Sequence, residues 1–166
     1  AVRLSRAPVI ASHSSTRALA DNPRNMDDEQ LRALGDNGGV LQAVALGAFV
    51  SDAAGARNSE IRAGRTDLGL APRGGVDLTD LSESQRAEYV RRMTQIDQEW
   101  PPVGVAMFVD HIDHAVELIG IDHVGISSDF DGGGGVEGWN DASETLNVTL
   151  ELVRRGYTEE EIAKLW

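Results

Sequence analysis

The stretch Ile121–Gly135, IDHVGISSDFDGGGG, decides the fold. A short apolar run through Val124 and Ile126 breaks into two serines and two aspartates, then four glycines. Read as a strand, its alternation puts Val124 and Ile126 on one face and Gly125, Ser127 and Asp129 on the other. Asp129 then stands at the strand's C-terminal end, where parallel α/β folds build their sites on the departing loops. The glycines exclude regular structure directly after it and let backbone come close to a ligand. Two readings of Asp129 stay open: a carboxylate delivered to a site, or a side chain capping the turn. Asp131 is the better turn residue of the pair.

Working outward, Ala7–His13 is a second run of this kind, with Pro8 at its start, where a missing N–H is tolerated. It ends in His13, which is open to three roles: metal ligand, general base or hydrogen-bonded structural histidine. A helix follows. Asp27 with Gln30 forms a capping box, Met26 with Leu31 a hydrophobic staple, and Asp28 and Glu29 lie in the first turn, where the helix dipole favours them. Gly35, Gly38 and Gly39 close it. Val40–Val50, nearly all apolar, reads as a strand buried on both faces.

Residues 55–81 read as an irregular excursion with solvated arginines at 57, 62, 65 and 73. A helix restarts near Ser82, with Tyr89, Met93 and Ile96 along one side, and stops at Pro101-Pro102. Val105–Ile119 is the clearest amphipathic element, its stripe running through Val105, Phe108, Val109, Ile112, Val116 and Ile119. That stripe places His111 on the flank and His114 nearly opposite, a solvated pair beside Asp110 and Asp113. His123 reads as structural. Asp141 with Glu144, and Thr158 with Glu161, each offer a capping box, and Tyr157 with Ile162 a staple. Asn147-Val148-Thr149 matches a glycosylation triplet but falls within a helix. Strands alternating with helices imply parallel pairing and an α/β fold, here one domain over residues 1–166.

Composition narrows the function. A net charge of −12 argues against nucleic-acid or anionic-membrane partners. With no cysteine, any metal must use histidine and carboxylates. Val40–Val50 is too short to span a bilayer, and Ala1–Arg6 leads into no signal-peptide core. The glycine run lacks the GxGxxG and GK[ST] patterns of phosphate loops. A calcium loop from Asp129 would need ligands where Gly133 and Asn140 stand.

Taken together, PVIASHSS at Pro8–Ser15, PRNMDDEQL from Pro23, DHIDHAVELIGIDHVGISSDFDG at Asp110–Gly132 and RRGYTEEEI near the C-terminus resemble the membrane (renal) dipeptidase family of zinc peptidases. The likeness covers nearly the whole chain, least well 55–99. It implies a metal-dependent-hydrolase (β/α)₈ barrel with two zinc ions and a dipeptide substrate. It makes His13 a zinc ligand, Arg24 the partner of the substrate's terminal carboxylate, and Asp129 the proton carrier. The family's His-x-Asp pair, bridging Glu and further His belong, in its pattern, upstream of residue 1. Such a barrel needs roughly 250 residues, so the chain reads as its C-terminal half, whose partner is the missing N-terminal half. The chain alone is then expected to be inactive, since one histidine cannot hold two zincs. Members of the family are often dimeric, and secreted, periplasmic or membrane-anchored. Two other functions fit: a related amidohydrolase acting on lactams or D-amino-acid amides, or a non-catalytic barrel-fragment binding domain.

Overall fold

Three strands form one parallel sheet in the order β1 (Ile10–Ser14), β2 (Val40–Val44), β3 (Val124–Ser127), in a computed structural model that describes residues 2–72 and 75–166. Ile10 lies opposite Val40, Leu41 opposite Val124 and Val44 opposite Ser127, with an irregularity in β1 between Ala11 and Ser14. By its contacts the chain divides into two compact units, Ala1–Asp52 with Val103–Trp166, and Ala53–Pro102.

In the first unit, parallel pairing demands crossovers, and helices supply them. Helix α1 (Asp28–Asp36) joins β1 to β2 and starts on the expected capping box, Asp27 with Gln30. Gly35 lies inside this helix rather than closing it, and Asn37 is the C-cap. The apolar run Val40–Val50 is not one strand. β2 stops at Val44, and α2 (Gly47–Val50) follows, with Phe49 and Val50 still buried. A continuous apolar run reports burial, not extension, so its length could not locate the end of the strand.

Helix α5 (Val105–Ile119) has the expected bounds and packs against α1, β2 and β3. Its buried face is Phe108, Val109, His111, Ile112 and Ala115. Each large apolar side chain there contributes ~1.5–3 kcal/mol of burial. Helices α6 (Leu146–Arg154) and α7 (Glu159–Leu165) follow β3, α7 on the Thr158–Glu161 capping box. The Asp141–Glu144 box does not form. Asp141 caps a short 3₁₀ turn through Ser143, and Glu144 turns back to accept from the Asn140 N–H. Arg155 fastens α6 to α5, bonding Glu151, Asp110 and Asp113 at 2.7, 2.7 and 2.5 Å. Asp110 and Asp113 are therefore clamp partners, not the flanks of a solvated histidine pair.

In the second unit, the expected excursion over 55–81 is largely helical. Helix α3 (Asp52–Asp67) covers its first half, and only Ala54 and Gly64 in that helix are buried. Alanines at 53, 54, 56 and 63 supply helix propensity without an apolar stripe, so periodicity had nothing to report. Helix α4 (Glu83–Glu99) begins on a Ser82–Gln85 capping box. Ion pairs link the two helices: Arg57 to Asp97 at 2.5 Å and Arg92 to Asp67 at 2.8 Å. Arg57 is thus paired rather than solvated, and Arg73 lies outside the described residues. No helix among the described residues is long and apolar enough to cross a membrane.

Candidate active site

Because the strands are parallel, their C-terminal ends lie on the same side of the sheet, and three departing segments start there. The one after β1 carries Arg24, the one after β2 carries Phe49, and the one after β3 carries Asp129. His13 is on β1 itself, one residue before its end, with its side chain exposed.

The structure brings His13 and Arg24 together. The Arg24 guanidinium donates from Nη2 to His13 Nε2 at 2.7 Å, while Ser12 Oγ lies 2.8 Å from His13 Nδ1. A guanidinium can only donate, so Nε2 carries the lone pair; the neutral ring then holds its proton on Nδ1, donated to Ser12 Oγ. In that tautomer the Nε2 lone pair, the one a metal would use, is held by Arg24. Arg24 also rests over the Phe49 ring, 5.0 Å from its centroid. Its other side-chain N–H groups make no hydrogen bond among the described residues. An exposed fork of donors next to a neutral imidazole suits a carboxylate.

Asp129 does not continue the strand, so alternation does not place it. β3 ends at Ser127, and Asp129 adopts the left-handed conformation, φ 54° and ψ 35°, the single non-glycine residue with positive φ among those described. Its carboxylate caps nothing and makes no hydrogen bond or ion pair among the described residues. The side-chain capping role is therefore excluded. The main chain holds the turn instead: Gly132 and Gly134 both donate to the Asp129 carbonyl, at 2.9 and 2.8 Å. A Cβ on Gly134 would run into the Ser128 carbonyl and the Asp129 backbone. Gly135 then donates to the Ala45 carbonyl at 2.6 Å, tying the loop to the end of β2. The fold-back thus requires glycine at 134, and the positive φ at Gly133 and Gly135 favours it there. Phe130 anchors the same turn, its ring centroid 5.4 Å from that of buried Trp139.

Two buried polar residues hold the loop between His13 and Arg24, and periodicity missed both. Asn25 and His111 are 2% and 1% exposed. His111 shares helical spacing with Phe108 and Ala115, a signal that would have placed it in the core had its polarity not suggested otherwise. Burial pushes its pKa down, so it is neutral, its ring bonded to Thr16 and to the Val50 carbonyl. His114, by contrast, pairs with Asp28 of α1 at 2.8 Å. The expected solvated pair is two histidines with separate fixed partners. His123 is structural, its Nδ1 2.9 Å from the Gly39 carbonyl oxygen.

Among the described residues no group of three or more His, Cys, Asp or Glu side chains is placed to hold a metal ion. His13 is a single donor, so these residues by themselves do not fit a zinc centre.

Residues 1–166 match the family described as membrane dipeptidase (Peptidase family M19). Dipeptidase ataJ of Aspergillus terreus is 32% identical over 99% of this chain, which spans 30% of that protein. Dipeptidase 3 of Rattus norvegicus is 28% identical over 95% of the chain, or 23% of its own length. The chain thus spans about a third or less of these relatives. The crystal structure of the probable dipeptidase PvdM from Pseudomonas aeruginosa superposes with a TM-score of 0.72 at 43% identity, covering 99% of this chain and 44% of that one. A metallopeptidase from Rhodobacter sphaeroides, liganded with a phosphinate mimic of the dipeptide L-Ala-D-Ala, shares the fold at a TM-score of 0.66 and 24% identity, over 34% of its chain.

Proposed function

The chain belongs to the membrane dipeptidase family, and from that premise we propose that it forms part of the active site of a zinc-dependent dipeptidase built on a (β/α)₈ barrel. The observation that carries this reading is the meeting of Arg24 with His13 at the C-terminal end of a parallel sheet. That is where a barrel places its chemistry. The complete enzyme would take its remaining strands and metal ligands from polypeptide outside these residues, and a homodimer is the expected assembly. In this proposal His13 would be one ligand among several, zinc held by the complete site would supply Lewis acidity, and the isolated chain is inactive.

The chain's own residues divide the rest of the work. Arg24 receives the terminal carboxylate of the dipeptide through paired N–H donors, with Phe49 beneath the guanidinium to fix its plane. A substrate longer by one residue at its C-terminus would offer a peptide carbonyl there instead of a charge, which limits the site to one residue beyond the scissile bond. Asp129 takes the proton from the attacking water and returns it to the leaving amine nitrogen, so that the carboxylate ends as it began. Having no other hydrogen bond to break among the described residues, it is ready for that exchange.

The test compares a dipeptide with its C-terminal amide, using the polypeptide that contains this chain. Arg24→Ala should lower kcat/KM for the dipeptide by ~10²-fold, the loss of a charge-assisted pair at ~1.5–3 kcal/mol, and leave the amide nearly unaffected. Equal losses on both substrates would remove Arg24 from the carboxylate site, and a lactam or D-amino-acid amide substrate would then take the dipeptide's place.

A further inference from the structure

Arg24 is exposed at the end of a long, flexible side chain, so its guanidinium is only as well placed as the loop beneath it. That loop is held from below by one amide and one imidazole. Asn25, the next residue along, accepts the Ser15 N–H at 3.0 Å and donates to the Ala20 and Phe49 carbonyls at 3.0 and 2.8 Å. His111 accepts the Thr16 N–H on Nδ1 at 3.2 Å, lies 2.8 Å from the Thr16 hydroxyl, and bonds the Val50 carbonyl through Nε2 at 3.0 Å. Both side chains therefore bridge the same two backbone stretches. One is Ser15–Thr16, directly behind His13. The other is Phe49–Val50, which carries the ring under Arg24.

We propose that Asn25 and His111 are positioning residues that lock the His13 strand end to the Phe49 turn and so hold the Arg24 guanidinium where it meets a substrate carboxylate. Neither touches substrate. The proposal rests on the reading of Arg24 as the carboxylate anchor. Chemistry favours a polar bridge over an apolar one here, because loop backbone must be satisfied when it is buried. A pair of hydrogen-bonded side chains also sets distance and direction, which apolar contact does not.

The experiment measures steady-state kinetics of a dipeptide and its C-terminal amide in the polypeptide containing this chain. Two variants are used: Asn25→Asp, which keeps the acceptor but loses both donors, and His111→Gln. Each is made alone and combined with Arg24→Ala. The expected result is a KM for the dipeptide raised at least ~10-fold, since a misplacement of about an ångström can cost ~10². kcat should change little, preference over the amide should fall, and the combined variants should lose no more than Arg24→Ala alone. Losses of kcat shared by both substrates, or losses that multiply with Arg24→Ala, would overturn the proposal and make both residues plain fold supports. Failure of both variants to fold would do the same. If Arg24→Ala alone keeps the preference for the dipeptide, the anchor reading itself is what fails.

Discussion

Asp129 offers the sharpest separation of chemistry from stability. It sits at φ 54° and ψ 35° with no side-chain bond holding it there. A residue with a Cβ in this region costs roughly 1–2 kcal/mol, less for Asp and Asn, whose short polar side chains ease it. Asp129→Asn keeps that tolerance and removes only the charge, so its stability should stay within about 0.5 kcal/mol. Asp129→Ala loses the tolerance and should cost ~1 kcal/mol. Asp129→Gly relieves the Cβ entirely, offset by ~0.5–1 kcal/mol of extra unfolded-chain freedom, and should be at least as stable as Asp129. For a chain of this size each kcal/mol moves Tm by about 2–4 °C, so calorimetry resolves Ala from the other two. In the polypeptide that contains this chain, all three should lose ~10²–10⁴ in kcat, the usual contribution of a positioned acid–base group. A stability–activity exchange of this kind is what a strained functional residue predicts. Destabilisation by Asp129→Gly of more than about 1 kcal/mol would refute the reasoning, because the carboxylate would then be holding the turn. Full activity in Asp129→Asn would refute its role in proton transfer.

Two further outcomes follow from the same structure. Burial holds the His111 pKa below its ordinary 6.5, against the opposing pull of Asp110 and the Val50 carbonyl and with the help of His114, so the unfolded chain binds that proton more readily. Its contribution to stability is full above pH 6.5 and is lost as pH falls toward the lowered folded value; urea melts at about pH 7.5 and 5.5 should show it, and His111→Gln should flatten the difference. A wild-type midpoint equal at both pH values would contradict the burial argument. Each outer strand, β1 and β3, has one edge unpaired among the described residues, and Ile10 on β1 is 66% exposed. The chain by itself should associate, and Ile10→Lys should reduce light scattering; a monodisperse monomer with Ile10 intact would argue against exposed edges.

Legibility in the sequence followed the physics of each element. The capping boxes at Asp27, Ser82 and Thr158 are local hydrogen bonds between residues three apart, and a sequence displays them directly. The first and last of them were legible, and so was the full span of α5, whose apolar stripe is strong. Where burial is two-sided, as across Val40–Val50, no period separates strand from helix, and the turn at Leu46 was invisible. Helix α3 was missed because paired charges, not an apolar face, join it to α4. In the site, His13 and Asp129 announced themselves by ending apolar runs, but the left-handed turn at Asp129 depends on where Gly134 folds back, which no spacing encodes. Asn25 and His111 act through backbone groups far along the chain, and long-range partners leave no trace in a local pattern.

The central claim is that this chain supplies His13, Arg24 and Asp129 to a metal-dependent dipeptidase site that it cannot complete alone. Zinc content after equilibrium dialysis, together with dipeptide hydrolysis, measured on the purified 166-residue chain, tests this most directly. The account predicts zinc well below stoichiometric and no hydrolysis. Two zincs bound per chain with dipeptide turnover would contradict it.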